Sequence, residues 1–136
     1  LNYDLSATEG EPVRLLHGSD GPWAEKSDEY GSYVTDGPTF HRSKSGKLFM
    51  LWSGFGEGGY TVGLAISDSG KLAGPWRQQA GPVFSRDGGH AVLFERFDGQ
   101  LMMALHSPNK DAERVHLFEM EDTGETLRIV RPFSDR

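Results

Sequence analysis

The sequence predicts an all-β fold made of repeated four-stranded antiparallel units, and three features carry this prediction. The apolar residues come in runs of about five to nine, bounded by Gly, Pro, Asp and Ser, which is typical of strands and turns. No window keeps the apolar period of about 3.6 residues that an amphipathic helix needs. The chain also matches itself after a shift of 53 residues, which indicates an internal structural repeat.

The apolar runs, taken in chain order, predict nine strands. They are Val13–His17, Thr39–Ser43, Lys47–Phe55, Thr61–Ser67, Trp76–Gln79, Ala91–Arg96, Gln100–His106, Val115–Glu121 and Thr126–Arg131. The turns between them read SKSGK, SDSGK, FDGQ and EDTGE. Each turn contains a Gly where a tight hairpin needs a positive φ, so neighbouring strands are expected to pair antiparallel.

The shift of 53 residues places TFHRSKSGKLFMLWS (39–53) on VLFERFDGQLMMALH (92–106). Two further strands follow in each copy, so each unit is a four-stranded meander of about fifty residues, the size of a β-propeller blade. We expect 37–79 to be one blade, 83–131 the next, 1–17 the end of a preceding blade and 18–35 a connector. The chain 1–136 would then be a partial propeller of about two and a half blades. Two unrelated hairpins in a sandwich remain the alternative.

Composition and charge narrow the classes of partner. The net charge of −6 disfavours nucleic acid, because binding to phosphates needs a basic surface. The chain has no cysteine, which excludes disulfides and thiolate metal sites. No apolar run approaches the length of about eighteen residues that a membrane helix needs, so no membrane partner is expected. The chain begins at Leu1 without an initiator Met, and we expect it to be part of something longer. The sequence does not choose between a cytoplasmic and a secreted location.

Two polar residues stand at similar places, just before the first strand of each unit. Asp36 precedes Gly-Pro in VTDGPTF, and His90 follows Gly-Gly in RDGGHAVLF. The first strand of a propeller blade lines the central channel, so we expect Asp36 and His90 to point into one shared pocket. The alternatives are an Asp that caps its own turn and a His that hydrogen-bonds within its loop. Phe55 and Tyr60 flank a Gly-rich hairpin tip and are expected at the rim.

Aromatic side chains offer stacking surfaces for sugar rings. Trp23, in a loop beside acidic residues, is the candidate for substrate binding by stacking, whereas Trp52 and Trp76 are expected to pack between sheets. The remaining histidines are expected to be ordinary surface or packing residues. They are His17, His41, His106 and His116. His106 differs in that it directly precedes the segment SPN, which is expected to form a loop near the channel.

The segments TDGPTFHRSKSGKLFMLWSGFG, GYTVGLAISDSGKLAGPW and DGGHAVLFERFDGQLMMALHSPN occur in this order. Together they resemble the five-bladed β-propeller glycoside hydrolases of family 43, of the arabinanase and β-xylosidase type. The likeness runs from about Leu1 to Val130 and corresponds to the C-terminal half of such a catalytic domain. It implies hydrolysis of O-glycosidic bonds in arabinose- or xylose-containing polysaccharides, with inversion, by a carboxylate base, a carboxylic acid and a third carboxylate that tunes the acid.

The resemblance also implies roles for individual residues. The family's acid is usually a Glu directly before Gly-Pro, and Asp36 occupies that place here with a side chain one methylene shorter. The Gly-Gly-His element implies that His90 points into the channel, contacts the substrate and helps to hold an ion, often calcium, although no cofactor is required. Arg114 is the nearest match to an arginine that contacts the sugar. The base and the tuning carboxylate belong to earlier blades, and no residue of this chain matches them.

Three functions therefore remain open. They are a glycosidase propeller whose other blades lie outside this chain, a non-catalytic carbohydrate-binding module, and an interaction or structural β module. Because the base is missing, we expect the isolated chain to be inactive. Open blade flanks expose apolar faces and strand edges, so we expect either a homodimer or association with the missing blades.

Overall fold

The computed structural model describes residues 1–134 and confirms the all-β prediction. Its eight strands are β1 (Asp36–Arg42), β2 (Leu48–Gly56), β3 (Gly59–Ser67), β4 (Arg77–Gln78), β5 (Gly89–Glu95), β6 (Leu101–Ser107), β7 (Arg114–Asp122) and β8 (Leu127–Pro132). One 3₁₀ turn lies at Gly18–Asp20. Within these residues, no helix has the length and apolar character needed to cross a membrane.

The strands form two four-stranded antiparallel sheets, in the orders β1-β2-β3-β4 and β5-β6-β7-β8, and these match two blades of a propeller. The sheets share a register irregularity. Asp36 pairs with Ser53 before the register shifts in β1, and Gly89 pairs with His106 before the same shift in β5. The two pairs are related by the 53-residue shift, so the repeat extends to the geometry of the strand entrances.

Two predicted strands differ from the structure. The prediction of a strand at Val13–His17 is wrong, because no strand forms before Asp36. A β-strand needs a neighbour to pair with, and Leu16 packs instead against the face of the first sheet that contains Met50 and Trp52. The fourth strand of the first sheet is reduced to Arg77–Gln78. The assignment of 1–17 to a preceding blade and of 18–35 to a connector stays a prediction.

The main core lies between the two sheets. Side chains of β2 and β3 meet side chains of β5 to β8 there, and all are buried. The set is Phe49, Leu51, Val62, Leu64, Ile66, Phe84, Ala91, Met103, Leu105, Phe118, Met120 and Leu127. Alternate residues of β2, Met50 and Trp52, point to the opposite face, where Leu16, Trp23 and Trp76 cover them. Both faces of the first sheet are therefore packed, as its nearly continuous burial shows.

A polar clamp centred on Asp122 joins the sheets at the end of β1 that lies away from Asp36. Asp122 Oδ2 accepts hydrogen bonds from the Lys44 backbone N–H and from His41 Nε2, both at 3.0 Å. Its Oδ1 accepts from the Ser43 hydroxyl at 2.9 Å and from the Gly124 N–H at 2.7 Å. Burial raises the pKa of Asp122, but these hydrogen bonds outweigh it and hold the pKa below its ordinary value.

The outer face of the second sheet is open. Val92, Phe94 and Val115 are 49%, 40% and 75% exposed. The 53-residue shift relates Val92 and Phe94 to Thr39 and His41, and His41 is in contact with the second sheet through Asp122. The exposed face is thus the counterpart of a face that is covered in the first sheet. A partner there, whether a second copy or further blades, stays a prediction.

Candidate functional site

Asp36 begins β1 and presents its carboxylate at the strand entrance. Its Oδ1 accepts a hydrogen bond from the Gly37 N–H at 2.9 Å, which is the local turn contact expected of an Asp before Gly-Pro. Its Oδ2 accepts a hydrogen bond from the Tyr60 hydroxyl at 2.7 Å. The side chain is 46% exposed. The carboxylate is therefore both anchored and accessible.

His90 stands beside it, from the other sheet. Its Nδ1 lies 3.3 Å from Asp36 Oδ2, so the prediction that the two side chains share one site is confirmed. The His90 backbone has a φ of 55°, and Gly37, the residue related to it by the 53-residue shift, has a φ of 50°. The His90 N–H donates to Ser53 Oγ at 2.9 Å, and this bond from the second sheet to the first holds the unusual backbone in place.

A concavity of about 130 Å³ opens over this pair. Its lining comprises Tyr30, Val34, Asp36, Phe55, Tyr60, His90, His106 and Asn109. The His106 ring stacks on Tyr60 with ring centres 5.6 Å apart, and His106 Nε2 lies 3.1 Å from Asn109 Oδ1. The volume is below that of drug-sized pockets, which are on the order of 300–1,000 Å³, so this part of the site would accept a small portion of a larger ligand.

Burial and the neighbouring carboxylate change the acidity of Tyr60. Burial of the phenol raises its pKa, and the hydrogen bond to Asp36 raises it further. The hydroxyl therefore remains protonated through the neutral range and acts towards Asp36 as a donor. The expectation that Tyr60 and Phe55 line the rim is confirmed, since both contribute to the concavity.

Trp23 and Arg114 lie elsewhere. The Trp23 ring packs against Trp52 at a centre-to-centre distance of 4.7 Å. Trp23 also lines a second concavity, which includes Glu25 and Glu57 but not Asp36. Arg114 begins β7, where it is exposed, and its Nη1 donates to the Glu113 carbonyl at 2.9 Å. The structure does not bring either residue to Asp36, and their contacts with sugar stay predictions.

The donor groups around His90 are few for a calcium ion. Among residues 1–134, no three His, Cys, Asp or Glu side chains come together as ligands for a metal. Calcium takes about six to eight oxygen ligands, whereas His90 offers nitrogen and one of its ring nitrogens already faces Asp36. These residues do not fit a calcium site by themselves. Calcium near His90 stays a prediction that would need oxygen ligands from beyond them.

The sequence interpretation did not name three lining residues of the concavity, Tyr30, Val34 and Asn109. It left His106 open between an ordinary strand residue and a residue near the channel. The 53-residue shift held the signal, because it relates His106 to Ser53, the strand partner of Asp36, and so places His106 at the same mouth. The loop that holds Asn109 falls on 55–60 under the same shift, so the rim predicted at Phe55 and Tyr60 held a signal for this loop as well.

Comparisons with known proteins agree with this architecture. The crystal structure of an endo-arabinase from Bacteroides thetaiotaomicron VPI-5482 matches with a TM-score of 0.78 and 36% identity, over 98% of this chain and 44% of that one. A thermostable family-43 glycoside hydrolase matches with a TM-score of 0.76 and 20% identity, over 100% of this chain and 47% of that one. The second likeness concerns the fold alone. This chain spans less than half the length of either structure. No family model and no curated protein matches it.

Proposed function

We propose that this chain, which has the propeller fold of the family-43 glycoside hydrolases, carries the general acid of an inverting O-glycosidase. The proposed substrates are polysaccharides that contain arabinose or xylose, and the 36% identity to an endo-arabinase supports that class. The observation that carries the proposal is the placement of Asp36. An anchored but accessible carboxylate lies 3.3 Å from His90, in a concavity shared by the two sheets.

The reaction assigns Asp36 one step. Its protonated carboxyl group would give its proton to the glycosidic oxygen as the bond from that oxygen to the anomeric carbon breaks. A water molecule would attack the anomeric carbon from the opposite face and lose its proton to a second carboxylate, the base. The leaving sugar gains the proton of Asp36, and the base gains the proton of water. In inverting enzymes the two carboxyl groups lie about 6.5–9.5 Å apart, which leaves room for the water.

The polar side chains around Asp36 would bind sugar hydroxyl groups. His90, 57% exposed at its side chain, presents an imidazole to the concavity beside the acid. His106 and Asn109 line the same wall, and imidazole and amide groups both donate and accept hydrogen bonds. Phe55 adds an apolar surface to this wall. Such a mixture of a few polar groups and an aromatic ring is typical of sites that bind small ligands.

A second candidate, a non-catalytic carbohydrate-binding role, applies to this chain taken alone. Asp36 is the one carboxylate in the described lining of the concavity. A single carboxyl group cannot both protonate the leaving oxygen and activate the water on the opposite face. The base would therefore have to come from residues outside this chain, and until it is supplied the site would bind sugar without hydrolysis.

Titration of the ¹⁵N-labelled chain with arabino-oligosaccharides and xylo-oligosaccharides tests the proposal. We expect NMR shift changes concentrated at Asp36, His90 and His106, and weaker binding in Asp36→Asn. The control is Asp98→Asn, an exposed change in the turn after β5 that should leave binding unchanged. A folded chain that binds neither sugar series would overturn the proposal.

The same preparation should not hydrolyse aryl arabinosides or aryl xylosides, because the base is absent. Liquid chromatography of released sugars checks this over long incubations. Hydrolysis that disappears in Asp36→Asn would contradict the expectation of an inactive chain. It would mean that a second copy supplies the base.

A further inference from the structure

We propose that Tyr60 is a positioning residue for Asp36, and that position 89 is glycine because the Tyr60 ring occupies the space where a side chain would lie. This inference rests on the proposed function of Asp36. It gives Tyr60 a role beyond its place at the rim and gives a reason for the glycine at position 89. Neither would touch the reacting atoms. Tyr60 would act on the reaction only through the orientation that it imposes on the Asp36 carboxylate.

Tyr60 is held rigidly enough to impose that orientation. The residue is 3% exposed, and its backbone N–H donates to Asp87 Oδ1 at 3.1 Å. The ring packs between Phe55 and His106, with ring centres 5.4 and 5.6 Å away. Asp36, by contrast, is nearly half exposed. In the 2.7 Å hydrogen bond between them, the buried phenol is therefore the fixed partner and the carboxylate is the group whose orientation is selected.

Gly89 makes this placement of the ring possible. A Cβ atom at position 89 would lie 2.3 and 2.5 Å from two carbons of the Tyr60 ring and 2.9 Å from Ser53 Oγ. Cβ atoms do not approach other atoms so closely, and the buried ring has no free space to enter. The φ of Gly89 does not lie in the left-handed region, so the backbone itself would accept another residue. The requirement for glycine is therefore steric and is set by Tyr60.

The same arrangement occurs with the roles exchanged at the other strand entrance. The 53-residue shift relates Asp36-Gly37 to Gly89-His90. A Cβ at Gly37 would lie 2.8 to 3.1 Å from atoms of the His90 ring. Each entrance thus supplies one functional side chain and one glycine, and each glycine makes room for a ring that contacts Asp36. The Asp36 carboxylate is therefore held by Tyr60 of the first sheet and by His90 of the second.

The Tyr60 hydroxyl stays a hydrogen-bond donor to Asp36 at neutral pH. A phenol that remains protonated, because burial and Asp36 raise its pKa, holds the bond throughout the neutral range. It would also stabilise the carboxylate that forms when the proton has been transferred.

Three variants of the chain test the inference. Tyr60→Phe keeps the ring and removes the hydroxyl, whereas Gly89→Ala keeps the hydroxyl and displaces the ring. Gly81→Ala is the matched control, because a Cβ there meets nothing within 4 Å and its φ is not in the left-handed region. NMR three-bond couplings report whether Asp36 keeps one χ1 rotamer, and oligosaccharide titration reports affinity. A merely structural role for Tyr60 would not alter the rotamer of Asp36 in a folded variant.

We expect a single Asp36 rotamer in the wild type and in Gly81→Ala, and averaged couplings in Tyr60→Phe and Gly89→Ala. Arabino-oligosaccharide affinity should fall by up to about threefold in the same two variants, because an Asp36 side chain that samples three staggered rotamers spends only about a third of its time in the binding orientation. A single rotamer retained in folded Tyr60→Phe, or averaging already present in the wild type, would overturn the inference. Averaging in the two variants without sugar binding by the wild type would support the positioning role and refute the proposed function separately.

Discussion

Replacement of Asp122 by Ala should destabilise the contact between the sheets more than any other single change at their polar edge. The carboxylate accepts four hydrogen bonds, from Lys44, His41, Ser43 and Gly124. Ser43 and Gly124 are buried, so their donors would lose an acceptor that water cannot readily replace. The Lys44 N–H is exposed and would form a hydrogen bond to water instead.

The magnitude follows from the two buried donors. A buried donor left without a partner costs about 1–3 kcal/mol, so the two together predict a loss of about 3 kcal/mol in the free energy of unfolding. Urea unfolding followed by circular dichroism measures this difference. The control is Asp98→Ala, which removes an exposed ion pair with Arg96 and should cost less than about 0.5 kcal/mol.

The pH dependence gives an independent check. The pKa of Asp122 in the folded chain lies below its ordinary value, so the ionised carboxylate contributes stability at pH values above the unfolded pKa of about 3.9. That contribution is lost as the pH falls through the lower folded pKa. The difference between wild type and Asp122→Ala should therefore be constant near neutrality and shrink below about pH 3.9. A loss no larger than that of Asp98→Ala, or a difference that grows in acid, would refute the clamp.

Two further predictions concern the core and the site. Met103→Ala should lower the free energy of unfolding by about 2–5 kcal/mol, because Met103 is fully buried between the sheets. The control is Val115→Ala on the open face. Equal losses of unfolding free energy in the two variants would contradict this assignment of the core. Gly37→Ala should cost about 1–3 kcal/mol, because it combines a φ of 50° with a Cβ against the His90 ring. It should also shift the His90 ring signals in NMR spectra, and unchanged signals would show that the ring is not in contact with Gly37.

Much of the architecture could be predicted from local pattern. Apolar alternation and the Gly turns located the strands of both sheets to within a few residues, because side-chain direction along a strand and positive φ in a tight turn are properties of short segments. The 53-residue shift also predicted that Asp36 and His90 would meet, since equivalent strand entrances of adjacent sheets face one channel.

The remaining features depended on contacts between distant segments. Val13–His17 has the composition of a strand but has no neighbouring strand. A segment forms a strand only where the tertiary structure places another strand beside it. The bond from Tyr60 to Asp36 crosses the sheet at a point where β3 begins, and the clamp on Asp122 joins residues about eighty positions apart. By itself, the sequence determined which residues form strands and which polar groups stand at their entrances. Only the tertiary structure decided which buried ring orients Asp36, because that depends on how β1 and β3 lie in one sheet. It also decided why position 89 has no side chain, because that depends on the close approach of the two packed sheets.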